Sequence, residues 1–280
     1  MQPTTPYLLP AHACDTHSHV YGDLERYRPL PGQRVDPGTC LEDYLALARS
    51  FGVQRHVFVQ AKAYGEDPAC MLDAISQLGV AHARGILMGD APLSAAELAR
   101  FDQAGIRGLR FLFPGTNPVD VQRVQQAAHH IADLGWSLLV QADGLALADC
   151  LPALTALPCP VVIDHLGRMP VACDVDSPPF QALLRFVEAG GWVKIAAPYY
   201  ATPHGEADFM VIESRVHALL DVCSDRLIWG MNWPHPNFTP GSKPDDTACL
   251  HSLLRVLRSP GEKQRLFVDN PARLYGFANE

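Results

Sequence analysis

The segment Val161-Val162-Ile163-Asp164-His165-Leu166-Gly167-Arg168 decides how this chain is read. Three consecutive branched apolar residues suit a strand buried on both faces, as in a parallel sheet covered by helices. The run stops at two ionisable residues, and a glycine then turns the chain. Runs of the same kind recur at residues 11–16, 54–60, 84–87, 108–113, 137–141, 161–164, 192–195 and 227–229. Helical periodicity fills the intervals at 41–51, 67–79, 94–104, 119–134, 146–156, 177–189, 208–223 and 245–258, with a last helical stretch around 262–277. Ser94 followed by Glu97 is a capping box, and Gly79, Gly105 and Gly135 stand where helices should stop. Eight strands, each followed by a helix, are the count of a (β/α)8 barrel of the TIM type, with a doubly wound sheet as the alternative. No composition shift or linker divides the 280 residues, so the whole chain, 1–280, reads as one domain.

Composition narrows the function. Hydrophobic residues make up 48% and charged residues 19%, enough apolar material for a large core. The net charge of −8 gives no electrostatic footprint for nucleic acid or an anionic membrane. The eight cysteines are scattered without a CxxC pair, which reads as buried thiols in a reducing compartment. The opening residues lack a basic stretch followed by a long apolar run, and no apolar run would span a bilayer. The expectation is a cytoplasmic α/β enzyme with self-association left open.

Three strand ends carry chemistry. In Asp15-Thr16-His17-Ser18-His19 the two histidines alternate onto one face. At the carboxyl end of a barrel strand that face looks into the mouth, where imidazoles bind a divalent metal or polarise a carbonyl. The bland alternative is a pair of surface histidines. His165, just past the apolar run of the quoted segment, is directed to the same mouth, and Arg168 sits where its planar fork would grip an anion. A third motif, Trp229-Gly230-Met231-Asn232-Trp233-Pro234-His235-Pro236-Asn237, follows the eighth run. Other residues are weighed beside these. His56 reads as packed, and His129 and His130 as solvated. Asp164 reads as a group that orients a neighbour. Asp143, His204 and His235 are replacement bases to consider. Neither GxSxG nor a phosphate-binding glycine loop is present.

The ends DTHSHV, IDHLGR and WGMNWPHPN, in this order and spacing, resemble the amidohydrolase superfamily. The nearest branch holds 2-pyrone-4,6-dicarboxylate lactonase, 4-sulfomuconolactonase and sugar lactonases. ERYRP at 25–29, VFVQA at 57–61, AGIRGLRF at 104–111 and VDNPARLYGF at 268–277 extend the likeness over nearly the whole chain. The resemblance implies a metal-optional barrel hydrolase that opens a small carboxylate-bearing lactone by water attack on the ring carbonyl. The relevant context is the catabolism of aromatic compounds. It implies His17, His19 and His165 as catalytic residues, and as the ligands of any metal. Asn232 stands where the branch has an Asp base, and Gln141 where metal-dependent relatives have a His. A carboxamide orients water but takes no proton at neutral pH. The cofactor expectation is therefore none required, or one weakly held zinc ion. Substrate groups implied in the same way are Tyr27, Arg110 and Arg168, while Thr116 and Tyr200 occupy two further arginine positions. Lys62 adds a cation near the second strand. Fewer cations favour a substrate with one acidic group, held also by aromatic contacts from Tyr199, Tyr200, Trp233 and Phe113. The alternatives are a non-hydrolytic member of the superfamily (a lactone isomerase, decarboxylase or hydratase) and a degenerate ligand-binding homologue.

Overall fold

A computed structural model describes residues 8–115 and 117–278. The eight strands are β1 Cys14–Ser18, β2 Arg55–Val59, β3 Ala83–Met88, β4 Ile106–Phe113, β5 Ser137–Ala142, β6 Val161–Ile163, β7 Trp192–Ile195 and β8 Leu227–Trp229. They form one parallel sheet in sequential order. Helices cover its outer face: α1 Leu41–Phe51, α2 Ala69–Leu78, α3 Ala95–Gln103, α4 Val121–Ile131, α5 Gly144–Ala148, α6 Leu151–Thr155, α7 Pro178–Glu188, α8 Glu213–Cys223, α9 Asp246–Val256, α10 Pro260–Gln264 and α11 Asn270–Tyr275. Among the described residues no helix is long and apolar enough to cross a membrane.

The barrel closes through residues beyond β8. The Asn232 amide donates to the His17 carbonyl at 2.7 Å, and the His19 amide donates to the Trp233 carbonyl at 2.8 Å. The Thr16 hydroxyl donates to the Trp229 carbonyl at 2.6 Å. Only glycine fits at position 230, because a Cβ there would lie 2.5 Å from the His17 Cβ. The interior is filled by Cys14, Val57, Val59, Ile86, Leu139, Val162, Trp192 and Ile228. Tyr275, ending α11, and Phe277, just beyond it, plug the lower end. Arg84 fixes that plug by donating to the carbonyls of Tyr275 and Gly276 at 3.0 and 2.7 Å. With the lower end plugged, the mouth lies at the carboxyl ends of the strands.

The sequence boundaries shift where caps and prolines intervene. The first strand runs from Cys14 to Ser18 rather than over 11–16. The expected helix 146–156 is two short ones, because Pro152 has no N–H to continue a ladder from the preceding turn. The helix expected from 208 begins with a 3₁₀ turn, Phe209–Ile212, capped by Asp208. The last stretch breaks into α10, a π turn at Arg265–Asp269 and α11, which has a proline in its first turn. The Ser94–Glu97 capping box forms as read. Thr116 lies outside the described residues.

Candidate active site

Strand β1 loses its regular pairing with β2 between Asp15 and Ser18. Strict alternation from the inward-facing Cys14 would turn His17 outward, so this irregularity is what aims His17 into the barrel. Asp15, on the outer side, anchors the bulge. Its carboxylate accepts from the His17 amide at 3.0 Å, the Tyr44 hydroxyl at 2.9 Å and the Met231 amide at 2.9 Å, and also from Ser18.

Four strand ends then converge on Asp164, which follows β6 and is fully buried. Its Oδ2 accepts from Arg110 Nη2 of β4 at 3.1 Å. Its Oδ1 lies 3.4 Å from Lys194 Nζ of β7 and 3.2 Å from His17 Nδ1. His165 Nε2 is 3.8 Å from Oδ2. Burial by itself would raise the Asp164 carboxyl, but the Lys194 and Arg110 charges, with the His17 and His165 imidazoles facing it, outweigh burial and hold it well below the usual range. Burial pushes the Lys194 ammonium down, against the opposing pull of Asp164.

The histidines are neutral. Burial lowers His19 and His165 to about 3, and His17 well below its ordinary value. Their protons follow from their partners. His19 Nδ1 donates to the Val59 carbonyl at 2.8 Å, so its Nε2 carries a lone pair. With its proton on Nε2, 3.3 Å away, His17 donates to that lone pair and its Nδ1 accepts from Lys194 Nζ at 3.2 Å. Moving the His17 proton to Nδ1 would direct it to Asp164 and leave two imidazole lone pairs facing each other. The Nε2–Nε2 spacing of 3.3 Å then suits one zinc ion with bonds of about 2.0–2.1 Å. His17, Asp164 and His165 also offer ligand atoms within 4.8 Å of one another. This donor set has the atoms to hold a divalent ion, while the adjacent Lys194 and Arg110 charges oppose one.

A cavity of about 790 Å³ opens above this cluster, with His19, Arg110, Gln141, His165 and Asn232 at its inner end and Lys62, Arg168 and Tyr200 on its walls. Two of these buried residues carry polar atoms without hydrogen-bond partners, Arg110 Nε and His165 Nδ1. Such orphans cost about 1–3 kcal/mol each unless a water, an ion or a ligand meets them. Arg168 lies 4.3 Å over the Tyr200 ring and pairs with Asp143 at 3.2 Å. Tyr200 in turn packs on His165 with ring centroids 5.3 Å apart.

The sequence-derived residues divide by position. His19, Lys62, Arg110, His165, Arg168, Tyr200 and Asn232 line the cavity. His17 lies immediately beneath it, against His19. Tyr27 is placed elsewhere, since its hydroxyl donates to Asp73 at 2.5 Å and Tyr21 takes the cavity wall in its stead. Asp143 is occupied by Arg168, and His235 stands behind Asn232 rather than in the cavity. Phe113 and Trp233 are buried in the core, and His204 stays at the surface. Lys194 joins the cluster without being among the residues expected from sequence. Its signal was present, because a lysine inside the otherwise apolar run Trp192–Ile195 must meet a buried anion.

Comparison with known proteins agrees with this architecture. An amidohydrolase family model matches residues 14–277. A 2-pyrone-4,6-dicarboxylate hydrolase of Comamonas testosteroni is 32% identical over 98% of this chain and 93% of its own. A D-galactarolactone isomerase of Agrobacterium fabrum is 30% identical over 95% of this chain and 92% of its own. A Pseudomonas putida structure assigned as a 2-pyrone-4,6-dicarboxylic acid hydrolase superposes with a TM-score of 0.84 at 26% identity, covering 97% of this chain and 100% of that one. The closed parallel barrel, the histidines on β1 and after β6, and similarity along the full length place this chain in the amidohydrolase family.

Proposed function

We propose that this protein is a hydrolase that opens a small carboxylate-bearing lactone. The observation that carries the reading is the pair of unpartnered buried atoms, Arg110 Nε and His165 Nδ1, on residues lining one cavity. A lactone satisfies both at once. Its carbonyl oxygen accepts from Arg110, and its attacking water donates to His165. Asn232 orients that water. The water proton moves to His165 Nδ1 as the oxygen bonds to the carbonyl carbon. The resulting imidazolium is stabilised by Asp164, 3.8 Å away. Arg110 faces the developing oxyanion. When the tetrahedral intermediate collapses, His165 returns the proton to the departing ring oxygen. Lys62 and Arg168 hold the substrate carboxylate at the wall, and Lys62 has no ion-pair partner among the described residues.

A divalent ion, held by His17 and His19, would supply Lewis-acid polarisation of the carbonyl. We read it as dispensable and weakly bound, because Lys194 and Arg110 already bring positive charge to the cluster.

The test is a panel of muconolactones, pyrone carboxylic acids and aldonolactones, assayed with the purified protein and with His165→Ala. Ring opening that is indifferent to His165→Ala sinks the proposal. A second reading, lactone isomerisation without net hydrolysis, is favoured by Asn232, which cannot take a proton from water. The isomerase among the relatives supports it. Asn232→Asp separates the two: hydrolysis rising by about 100-fold or more, the scale of an added general base, would mean that the native reaction is not hydrolysis.

A further inference from the structure

Behind Asn232 a line of buried hydrogen bonds leads away from the cavity. Asn232 Nδ2 lies 2.6 Å from the Tyr199 hydroxyl. That hydroxyl lies 2.9 Å from His235 Nδ1, and His235 Nε2 is 3.1 Å from Asp246 Oδ1. Tyr199 and His235 are 6% and 2% exposed, so water does not compete for these bonds. The line begins at the main cavity and ends at a separate pocket of about 250 Å³, lined by His235 and Asp246 on the far side of the Trp233–Pro234 segment.

We propose that Tyr199, His235 and Asp246 are positioning residues that lock the Asn232 carboxamide with its oxygen toward the cavity. The lock rests on the reading of the cavity as a lactone site. With His235 a neutral imidazole, its direction follows from donor and acceptor rules. The Asp246 carboxylate only accepts, so His235 Nε2 carries the proton. His235 Nδ1 then holds a lone pair, and the Tyr199 hydroxyl must donate to it. The Tyr199 oxygen is left to accept, which only the amide side of Asn232 can satisfy. The Asn232 oxygen therefore faces the cavity as an acceptor for a water or substrate hydroxyl. In the flipped rotamer the Asn232 and Tyr199 oxygens would face each other 2.6 Å apart with no proton between them. The backbone agrees: Asn232 sits at φ +61, a conformation asparagine tolerates, with its amide N–H fixed on the His17 carbonyl at 2.7 Å. Position and orientation of the carboxamide are thus set from two sides.

The lock is tested on the intact protein with Tyr199→Phe. The chain has five asparagines, so selective ¹⁵N-asparagine labelling gives a short list of side-chain amide signals, and Asn232→Ala identifies the one of interest. The expected result is a shifted and faster-exchanging Asn232 amide in Tyr199→Phe, with the other signals unmoved. On the best lactone of the panel kcat should fall about tenfold, the scale of one lost buried hydrogen bond, with KM changed less than about twofold. In an Asn232→Ala background the same substitution should change kcat by less than about twofold, because nothing remains to be oriented. Asp246→Ala, at the accessible end of the line, should loosen the same amide signal to a smaller degree. An Asn232 signal indifferent to both substitutions overturns the proposal. So does a Tyr199→Phe loss of equal size with and without Asn232. Should no lactone be turned over, the lactone reading fails, while the amide signal still decides the lock.

Discussion

Replacing Asp164 by asparagine removes the anion paired directly with two buried cations. In the native protein Asp164 lies 3.1 Å from Arg110 and 3.4 Å from Lys194. At an effective dielectric constant of about 20, each pair contributes about 5 kcal/mol of Coulomb attraction. Returning the carboxylate to a neutral group recovers several kcal/mol of its desolvation cost, so the two attractions are not lost in full. What remains is an uncompensated Lys194 ammonium that is fully buried. Stranding a buried charge in this way costs about 3–5 kcal/mol. For a chain of this size the melting temperature should drop by roughly 10 °C. The cost should also reverse in part when the stranded cation is removed. Asp164→Asn combined with Lys194→Met should therefore be more stable than Asp164→Asn alone, although it carries one more substitution. Urea unfolding of the wild type, both single variants and the double variant gives the cycle. Additive losses, or an Asp164→Asn variant within about 1 kcal/mol of wild type, would refute the account of Asp164 as an ionised hub between Arg110 and Lys194.

Acid should destabilise the fold early. His56 is lowered to about 4 and His19 and His165 to about 3, so between roughly pH 6.5 and 4 the unfolded chain binds protons that the native state refuses. Stability is then full above pH 6.5 and falls as pH drops, by about 3 kcal/mol for His56 alone at the limit; a melting temperature unchanged between pH 7 and pH 5 would contradict this. Chelation of divalent ions should leave turnover intact, since Lys194 and Arg110 supply fixed positive charge; loss on dialysis against a chelator with recovery on adding zinc would show the opposite. Lys62→Met and Arg168→Met should each raise KM about tenfold with kcat held, as for a charge that binds substrate and transition state alike; a fall in kcat at constant KM would place these cations at the reacting bond. Gly230→Ala should cost several kcal/mol or prevent folding, because its Cβ would lie 2.5 Å from the His17 Cβ at the barrel seam, and a variant of near-native stability would deny that close approach.

The sequence by itself determined the number and order of the strands. Short doubly buried strands separated by amphipathic helices leave a distinct periodic trace, and seven of the eight runs lie within about two residues of the observed strands. It also determined that His17, His19, His165 and Asn232 would gather, because each ends or follows a strand, and a parallel barrel brings all such ends to one mouth. What it left undecided depends on exceptions to periodicity and on charge neighbours far apart in the chain. The irregularity at β1 turns His17 inward against simple alternation, and only the register with β2 reveals it. Lys194 became part of the cluster because β7 places it 3.4 Å from Asp164, thirty residues earlier in the chain. Tyr27 and Tyr21 lie on one loop, and packing on Asp73 and around the cavity, rather than residue type, selected Tyr21 for the wall. The orientation of Asn232 was equally invisible. A carboxamide is symmetric to sequence reasoning, and it acquires a direction only when Tyr199, His235 and Asp246 close a line of donors and acceptors behind it.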